Sequence, residues 1–216
     1  MQHAIDRPEP TTPNGEIVAN HHADHPGFAG AHGVKMALLF AAFGGANARL
    51  ACDLAGVGPD DHVVDIGCGP GSAAREAAGR GARATGVDPS PVMLSVARRL
   101  TVRNRSAITW ADGAAESVPV PDGGATVVWS VLCVHHWADI DAGLAEVRRV
   151  LAPCGRLLAI ERRTTADATG TASHGWYPEQ ADVFAAACRD HGFAPVDVST
   201  EATKRGQLLV VRATRP

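Results

Sequence analysis

The chain has 216 residues, 45% of them hydrophobic and 20% charged, with a formal net charge of −3 at pH 7. This length suits one domain with appendages and buries a sizeable core, and the ordinary composition excludes a wholly disordered chain. With no basic excess, a nucleic-acid partner is not expected.

No apolar run approaches the ~20 residues that a membrane span needs. Met1 to Pro13 carries Asp6, Glu9 and several prolines, with neither a basic nor an apolar stretch, so no signal peptide is expected there. The five cysteines show no CxxC spacing. That argues against a disulfide scaffold or a zinc cluster and suits a reducing cytoplasm. Residues 1 to about 26, rich in Pro, His, Asn and Asp, read as a flexible arm that can order on ligand binding. Val34 to Phe43 predicts a short helix, and Asn47 to Ala55 a second one stopped by Gly56-Val57-Gly58-Pro59.

A regular alternation then begins. His62 to Ile66 is a buried strand, Gly67 to Gly71 a glycine-rich turn, and Ser72 to Gly79 a helix. Arg83 to Val87 is a second strand. Ser90-Pro91 starts a helix through Met93, Leu94, Ala97 and Leu100, because serine caps free amides and proline suits the first turn. Arg98, Arg99, Arg103 and Arg105 solvate the end of that helix. Short strands follow at Ala107 to Trp110 and Thr126 to Leu132, then a helix at Ile140 to Leu151 and a strand at Arg156 to Ile160. Alternating strands and helices imply right-handed crossovers and a mostly parallel sheet. After a polar stretch, Thr164 to His174, a helix spans Pro178 to His191. Strands near Pro195 to Ser199 and Leu208 to Ala213 are separated by Lys204-Arg205-Gly206 and pair antiparallel at the sheet edge. The fold class is therefore α/β, Rossmann-like, with about seven strands and a C-terminal antiparallel hairpin.

The strongest signal is Val63-Val64-Asp65-Ile66-Gly67-Cys68-Gly69-Pro70-Gly71. Glycines let a ligand approach the backbone, and the following helix offers free amides. The spacing is G-x-G-x-G. A dinucleotide fingerprint, G-x-G-x-x-G, would need glycine where Ser72 stands. Asp65 would repel a pyrophosphate and attract an ammonium group. The ligand should thus carry a positive amine.

These residues resemble motif I of the class I S-adenosylmethionine-dependent methyltransferases, in the branch similar to ubiquinone and menaquinone biosynthesis enzymes. The resemblance covers about residues 45 to 162. It implies S-adenosylmethionine as cofactor, held by Asp65, Gly67, Cys68, Gly69 and Gly71. Asp88, ending Gly86-Val87-Asp88, resembles the family's ribose-binding acid, with Pro89 and Met93 placed to pack on adenine. Asp112-Gly113-Ala114-Ala115-Glu116-Ser117-Val118-Pro119 resembles the family's G-D-A-E-x-L-P segment. It departs at Ala114, where a side chain able to bind the adenine amine is usual. Asp112 can substitute, while Gly113, Ala114 and Ala115 offer backbone. Glu116 has an equally good structural use.

Trp129-Ser130-Val131-Leu132-Cys133-Val134-His135-His136-Trp137 ends the fourth strand, and ligands bind at the carboxyl ends of such strands. Ser130 and Val131 should flank the methionine moiety. Adjacent residues of an extended chain face opposite ways. One of His135 and His136 should then face the substrate and the other the outer helix. Glu161 ends the neighbouring strand, and a carboxylate beside a histidine makes a general base. The family includes sugar O-methyltransferases with a similar arrangement. His135 is the candidate base, Glu161 its partner, and His136 a third catalytic candidate.

His21-His22-Ala23-Asp24-His25 lacks a known metal-site spacing, so no metal is expected, and a lid anchored by Phe28 and Phe40 is the better reading. Trp137, Trp176 and Tyr177 could line a substrate pocket or simply pack. Cys68 has no nucleophilic role. The chain reads as residues 1–30, an arm able to act as a lid, and a methyltransferase domain at 31–216. Its acceptor is a small molecule with a hydroxyl, a sugar being one candidate. The alternatives are N- or C-methylation of a small metabolite, or a binding protein that has lost catalysis. A cytoplasmic monomer or homodimer with no nucleic-acid partner is expected.

Overall fold

The computed structural model describes residues 17–24, 28–101 and 107–216. Met1 to Pro13, His25, Arg103 and Arg105 lie outside them. The described chain begins with two helices, α1 (Gly30–Phe43) and α2 (Gly45–Ala55). Gly56, at φ +60°, ends α2 in the left-handed conformation that glycine adopts at little cost. Then come β1 (His62–Ile66), α3 (Ser72–Gly79), β2 (Arg83–Asp88), α4 (Pro91–Leu100), β3 (Ile108–Asp112) and β4 (Ala125–Val131). A 3-10 turn at Val134–His136 leads to α5 (Ile140–Val150), β5 (Leu151–Arg162), α6 (Pro178–Asp190), β6 (Val196–Thr203) and β7 (Gly206–Thr214).

The strand order is β3-β2-β1-β4-β5-β7-β6. Five strands run parallel, and β7 inserts antiparallel between β5 and the edge strand β6. The expected α/β sheet and its C-terminal hairpin are both present. The chain reverses direction across the sheet between β1 and β4, which places the tips of β1, β2 and β4 around one crevice.

Local chemistry fixes the helix starts. The Ser90 hydroxyl accepts from the Met93 amide, and Asp139 Oδ1 accepts from the Ala142 amide at 3.0 Å. Each supplies one of the donors a helix start leaves unmet. Apolar helix faces then cover the sheet on both sides. Leu144, Val147 and Phe184 of α5 and α6 are fully buried on one face, with Val64, Val128 and Ala159. Ala48, Ala51, Ala73 and Ala77 of α2 and α3 pack with Val63, Val127 and Trp129 on the other. Burying one large aliphatic or aromatic side chain contributes about 1.5–3 kcal/mol. α1 packs on α4 through Ala37, Met93 and Val96. Its other side leaves Leu38, Leu39 and Phe43 about half exposed. No single helix among the described residues is long and apolar enough to cross a membrane.

Candidate active site

At the end of β1 the chain turns through Gly67, Gly69 and Gly71, with φ of +69°, +52° and +79°. The Gly67 and Cys68 amides both donate to the Val87 carbonyl, at 2.9 and 3.0 Å, so the turn hangs from β2. A Cβ on Gly71 would stand 2.0 Å from the Trp110 ring, which demands glycine there for packing alone. At Gly69 a Cβ would meet nothing within 4 Å. That face is open, and it is where a ligand can lie against backbone.

Asp88 accepts from the Gly69 amide through Oδ2 and from the Ser90 amide through Oδ1, both at 2.8 Å. It lies beside Asp112 in register. Neither acid forms an ion pair among the described residues. Burial holds the Asp88 carboxyl above its ordinary range. An acid fixed at a strand tip with no cation opposite suits a ribose diol, which donates two hydrogen bonds. Asp65 is buried under the turn and accepts from the Ala74 amide at 3.2 Å. Burial pushes its carboxyl up to about 7, against the pull of the Trp129 indole and the Ala74 amide. It thus ties β1 to α3, and an approaching cation would favour its ionised form. These groups fit S-adenosylmethionine: an open glycine face, an acid at the tip of β2 with no ion pair among the described residues, and a buried acid that a cation would stabilise.

Asp112 and Gly113 stand at the tip of β3. Ala114 exchanges both of its backbone groups with Ser117, at 3.2 and 3.4 Å, so they already have partners, and Ala115 is buried. Pro89 is exposed, and Met93 belongs to the α1–α4 core. Glu116 accepts from the Asp139 amide at 3.0 Å, a structural use. Trp110 was not anticipated. Its ring covers both Gly71 and Gly86, filling the space that their missing side chains leave.

β4 carries buried Ser130 and half-buried Val131 to the crevice. Leu132 follows at φ +58° and breaks the extended chain. Cys133 lies against the glycine turn, where a Cβ on Gly67 would stand 2.0 Å from its Sγ. The 3-10 turn then brings His135 and His136 to the same side, with ring centroids 4.1 Å apart. The opposite facing expected of an extended pair does not hold, because the strand has already ended at Val131. His135 Nδ1 stands 2.8 Å from Glu161 Oε2, and the His135 amide donates to Glu161 Oε1 at 3.3 Å. Both side chains are almost wholly buried. Burial pushes the Glu161 carboxyl up to about 7, opposed by the His135 amide and the neighbouring histidines.

Two further elements close over this pair. In residues 17–24, the His22 amide donates to the His135 carbonyl at 2.9 Å, and the His22 carbonyl is 3.3 Å from His136 Nδ1. Trp176 Nε1 and Gln180 Nε2 donate to Ala19 and Val18 carbonyls, each at 2.7 Å. The loop after β5 contributes His174, whose ring stacks on His22 at 4.3 Å and 9°. Arg162 Nε donates to the His174 carbonyl at 3.0 Å and clamps that loop to β5. Sequence reasoning missed His174, since it ends an aperiodic polar stretch. Phe28 packs edge-on against Phe40, with centroids 5.4 Å apart. Trp137, Trp176 and Tyr177 are buried, and Trp137 and Trp176 pack on Phe184, so the two tryptophans are core rather than pocket wall.

The seven-stranded order, the glycine turn after β1 and the acid ending β2 define a Rossmann-like class I methyltransferase fold. Residues 64–159 match the family model described as a methyltransferase domain. A demethylmenaquinone methyltransferase of Tropheryma whipplei (strain Twist) is 37% identical over 115 residues, 52% of this chain and 46% of the relative. A malonyl-[acyl-carrier protein] O-methyltransferase of Serratia marcescens is 38% identical over 100 residues, 46% of this chain and 38% of the relative. The matched segment thus spans less than half the length of these relatives. The structure of geranyl diphosphate C-methyltransferase from Streptomyces coelicolor A3(2), in complex with Mg2+, geranyl-S-thiolodiphosphate and S-adenosyl-L-homocysteine, superposes with a TM-score of 0.64. Its identity is 20%, covering 79% of this chain and 76% of that one.

Proposed function

We propose that the chain moves a methyl group from S-adenosylmethionine to a small molecule that must lose a proton, a hydroxyl compound first, with His135 as the base. The buried His135–Glu161 pair at the tips of β4 and β5 carries this reading, since Cys133 ties the same segment to the cofactor turn. The bound cofactor supplies an electrophilic methyl on a sulfonium sulfur. Gly69 leaves room for it, Asp88 accepts from its ribose hydroxyls, and Asp65 opposes its amine. Asp112, Gly113 and the backbone near Ala114 and Ala115 border the adenine, while Ser130 and Val131 flank the methionine portion.

Glu161 accepts from His135 Nδ1, which sets the tautomer with the lone pair on Nε2. His135 then takes the acceptor's proton, and Glu161 stabilises the imidazolium so formed. His136 and the segment at 17–24 exclude water. Orientation in such a site is worth about 7–11 kcal/mol of barrier in well-aligned systems, and a positioned base adds about 10²–10⁴-fold.

A second reading is methylation at carbon. It is favoured by the menaquinone relative and the C-methyltransferase with the same fold. Deprotonation of a hydroquinone by the same histidine would activate its ring carbon. A sugar acceptor gains no support from these relatives. The intact glycine turn and dyad argue against a protein that only binds. The test is transfer of labelled methyl to a hydroquinone, a phenol, an aliphatic alcohol and a carboxylic acid, with product NMR to locate the methyl. Methylated product from the wild type, lost in His135→Ala, supports base catalysis. Full activity in His135→Ala removes the base from the mechanism.

A further inference from the structure

The histidines over the crevice come from three separate parts of the chain. His135 and His136 lie on the turn after β4, His174 on the loop after β5, and His21 and His22 on the N-terminal segment. One ligand-capable atom each from His135, His136 and His174 lies within 4.8 Å of the others. A tetrahedral ion with nitrogen ligands at about 2.0–2.1 Å sets those nitrogens about 3.3 Å apart. Side-chain rotations of an ångström or so close the set.

Clustering alone would be weak, but the surroundings of two of the rings point the same way. His135 Nδ1 faces Glu161 Oε2 at 2.8 Å, and His136 Nδ1 faces the His22 carbonyl at 3.3 Å. Oxygen acceptors at both Nδ1 atoms place N–H there and the lone pair on Nε2 of each ring. A carboxylate or carbonyl behind the ring is how metal-ligating histidines are oriented and made more basic. The third ring, His174, is held by its stack on His22 and by the Arg162 clamp on its carbonyl.

We propose that His135, His136 and His174 bind one transition-metal ion, zinc being the best match, with Glu161 as the carboxylate behind the first ligand. Three neutral imidazoles and no carboxylate in the ligand set select zinc, cobalt, nickel or copper over magnesium or calcium. Three protein ligands leave a coordination position for water or for an oxygen of the acceptor. That last role rests on the methyltransferase reading, whereas the metal site does not. With metal bound, the Nε2 lone pair of His135 is committed to it. The acceptor's hydroxyl, its acidity raised by the ion, would then lose its proton to bulk water rather than to His135. Loaded and metal-free protein would differ in how the acceptor is activated.

The test uses the full untagged chain, stripped with chelator and titrated separately with Zn2+, Co2+ and Mg2+. The proposal expects one equivalent of zinc, visible ligand-field bands of cobalt in a low-symmetry nitrogen site, and no competition from magnesium. His174→Ala and His136→Ala should each weaken zinc by at least about 100-fold, and Glu161→Gln by about 10- to 100-fold. S-adenosylhomocysteine should still raise the Tm of each variant, which shows that it is folded. Substoichiometric zinc in the wild type, cobalt bands that persist in both histidine variants, or equal competition by magnesium each overturn the site. Methyl transfer by protein that binds no zinc overturns the metal and leaves the proposed function standing. Stoichiometric zinc without transfer to any acceptor does the reverse.

Discussion

Glu161 Oε2 stands 2.8 Å from His135 Nδ1, with both side chains almost wholly out of water. A buried carboxylate is costly unless bonded, and this one also accepts from the His135 amide. Glu161→Gln keeps the shape but removes the charge that stabilises an imidazolium. We expect kcat to fall about 10²–10⁴-fold if His135 is the base, with affinity for S-adenosylhomocysteine unchanged, since Glu161 lies off the glycine turn. Steady-state kinetics and calorimetric titration check the two halves. A parallel loss of cofactor affinity would mean that the substitution has disturbed the crevice as a whole.

Asp65 gives a pH dependence with a definite sign. Its carboxyl sits at about 7 in the ligand-free protein, raised chiefly by burial. A cofactor ammonium nearby favours the ionised form and lowers that value in the complex, so binding near neutrality releases a proton. Affinity for S-adenosylhomocysteine should rise with pH up to about 7 and level off above. In Asp65→Asn the slope should vanish and the affinity should stay low throughout. The same shift acts on folding. A carboxyl held above its unfolded value near 3.8 makes the folded state the better proton binder. Its contribution is fully present below about pH 4 and is lost as pH rises through 7. Asp65→Asn should therefore flatten part of the stability profile in urea melts between those limits.

The glycine turn separates packing from ligand contact. Gly69 and Gly71 both have positive φ, so alanine costs about 1–2 kcal/mol of backbone strain at either. Only Gly71 adds a collision, with the Trp110 ring 2.0 Å away, while the Gly69 side is open. Gly71→Ala should lower the Tm much more than Gly69→Ala. Gly69→Ala should fold, yet lose most of its affinity for S-adenosylhomocysteine because the methyl occupies ligand space. Thermal melts with and without S-adenosylhomocysteine distinguish these outcomes. Unimpaired binding by Gly69→Ala would mean that the cofactor does not lie on that face.

Much of this architecture is legible in the sequence because the relevant signals are local. β1 and α3 run over the residues expected from apolar runs and turn glycines, and α4 starts at the Ser90-Pro91 cap. The buried strands reveal the sheet through their composition, and the short link at Lys204-Arg205-Gly206 reveals the hairpin. What stays hidden depends on non-local geometry. The extended-chain rule misplaces His136 because the left-handed residue at Leu132 is invisible in an ordinary apolar run. His174 joins the site through the Arg162 clamp, which links residues across a loop of no periodicity. Trp137 and Trp176 look alike as pocket aromatics or as core, and only their packing on Phe184 decides.

Gln180 shows how the N-terminal segment is held. This fully buried side chain donates from Nε2 to the Val18 carbonyl at 2.7 Å, lies 2.9 Å from His21 Nδ1, and accepts from the Tyr177 amide at 3.2 Å. Gln180→Leu keeps a similar volume but leaves those polar groups without their partner. Each buried group so stranded costs about 1–3 kcal/mol. Trp176 still donates to the Ala19 carbonyl, and the His22 amide still donates to His135. Residues 17–24 should therefore loosen locally while the sheet stays folded. Amide hydrogen exchange should quicken across 17–24, with β1, β4 and β5 unchanged. Uniformly faster exchange would instead make Gln180 a residue of the global core. Unchanged exchange at 17–24 would show that the Trp176 and His22 bonds alone secure the segment.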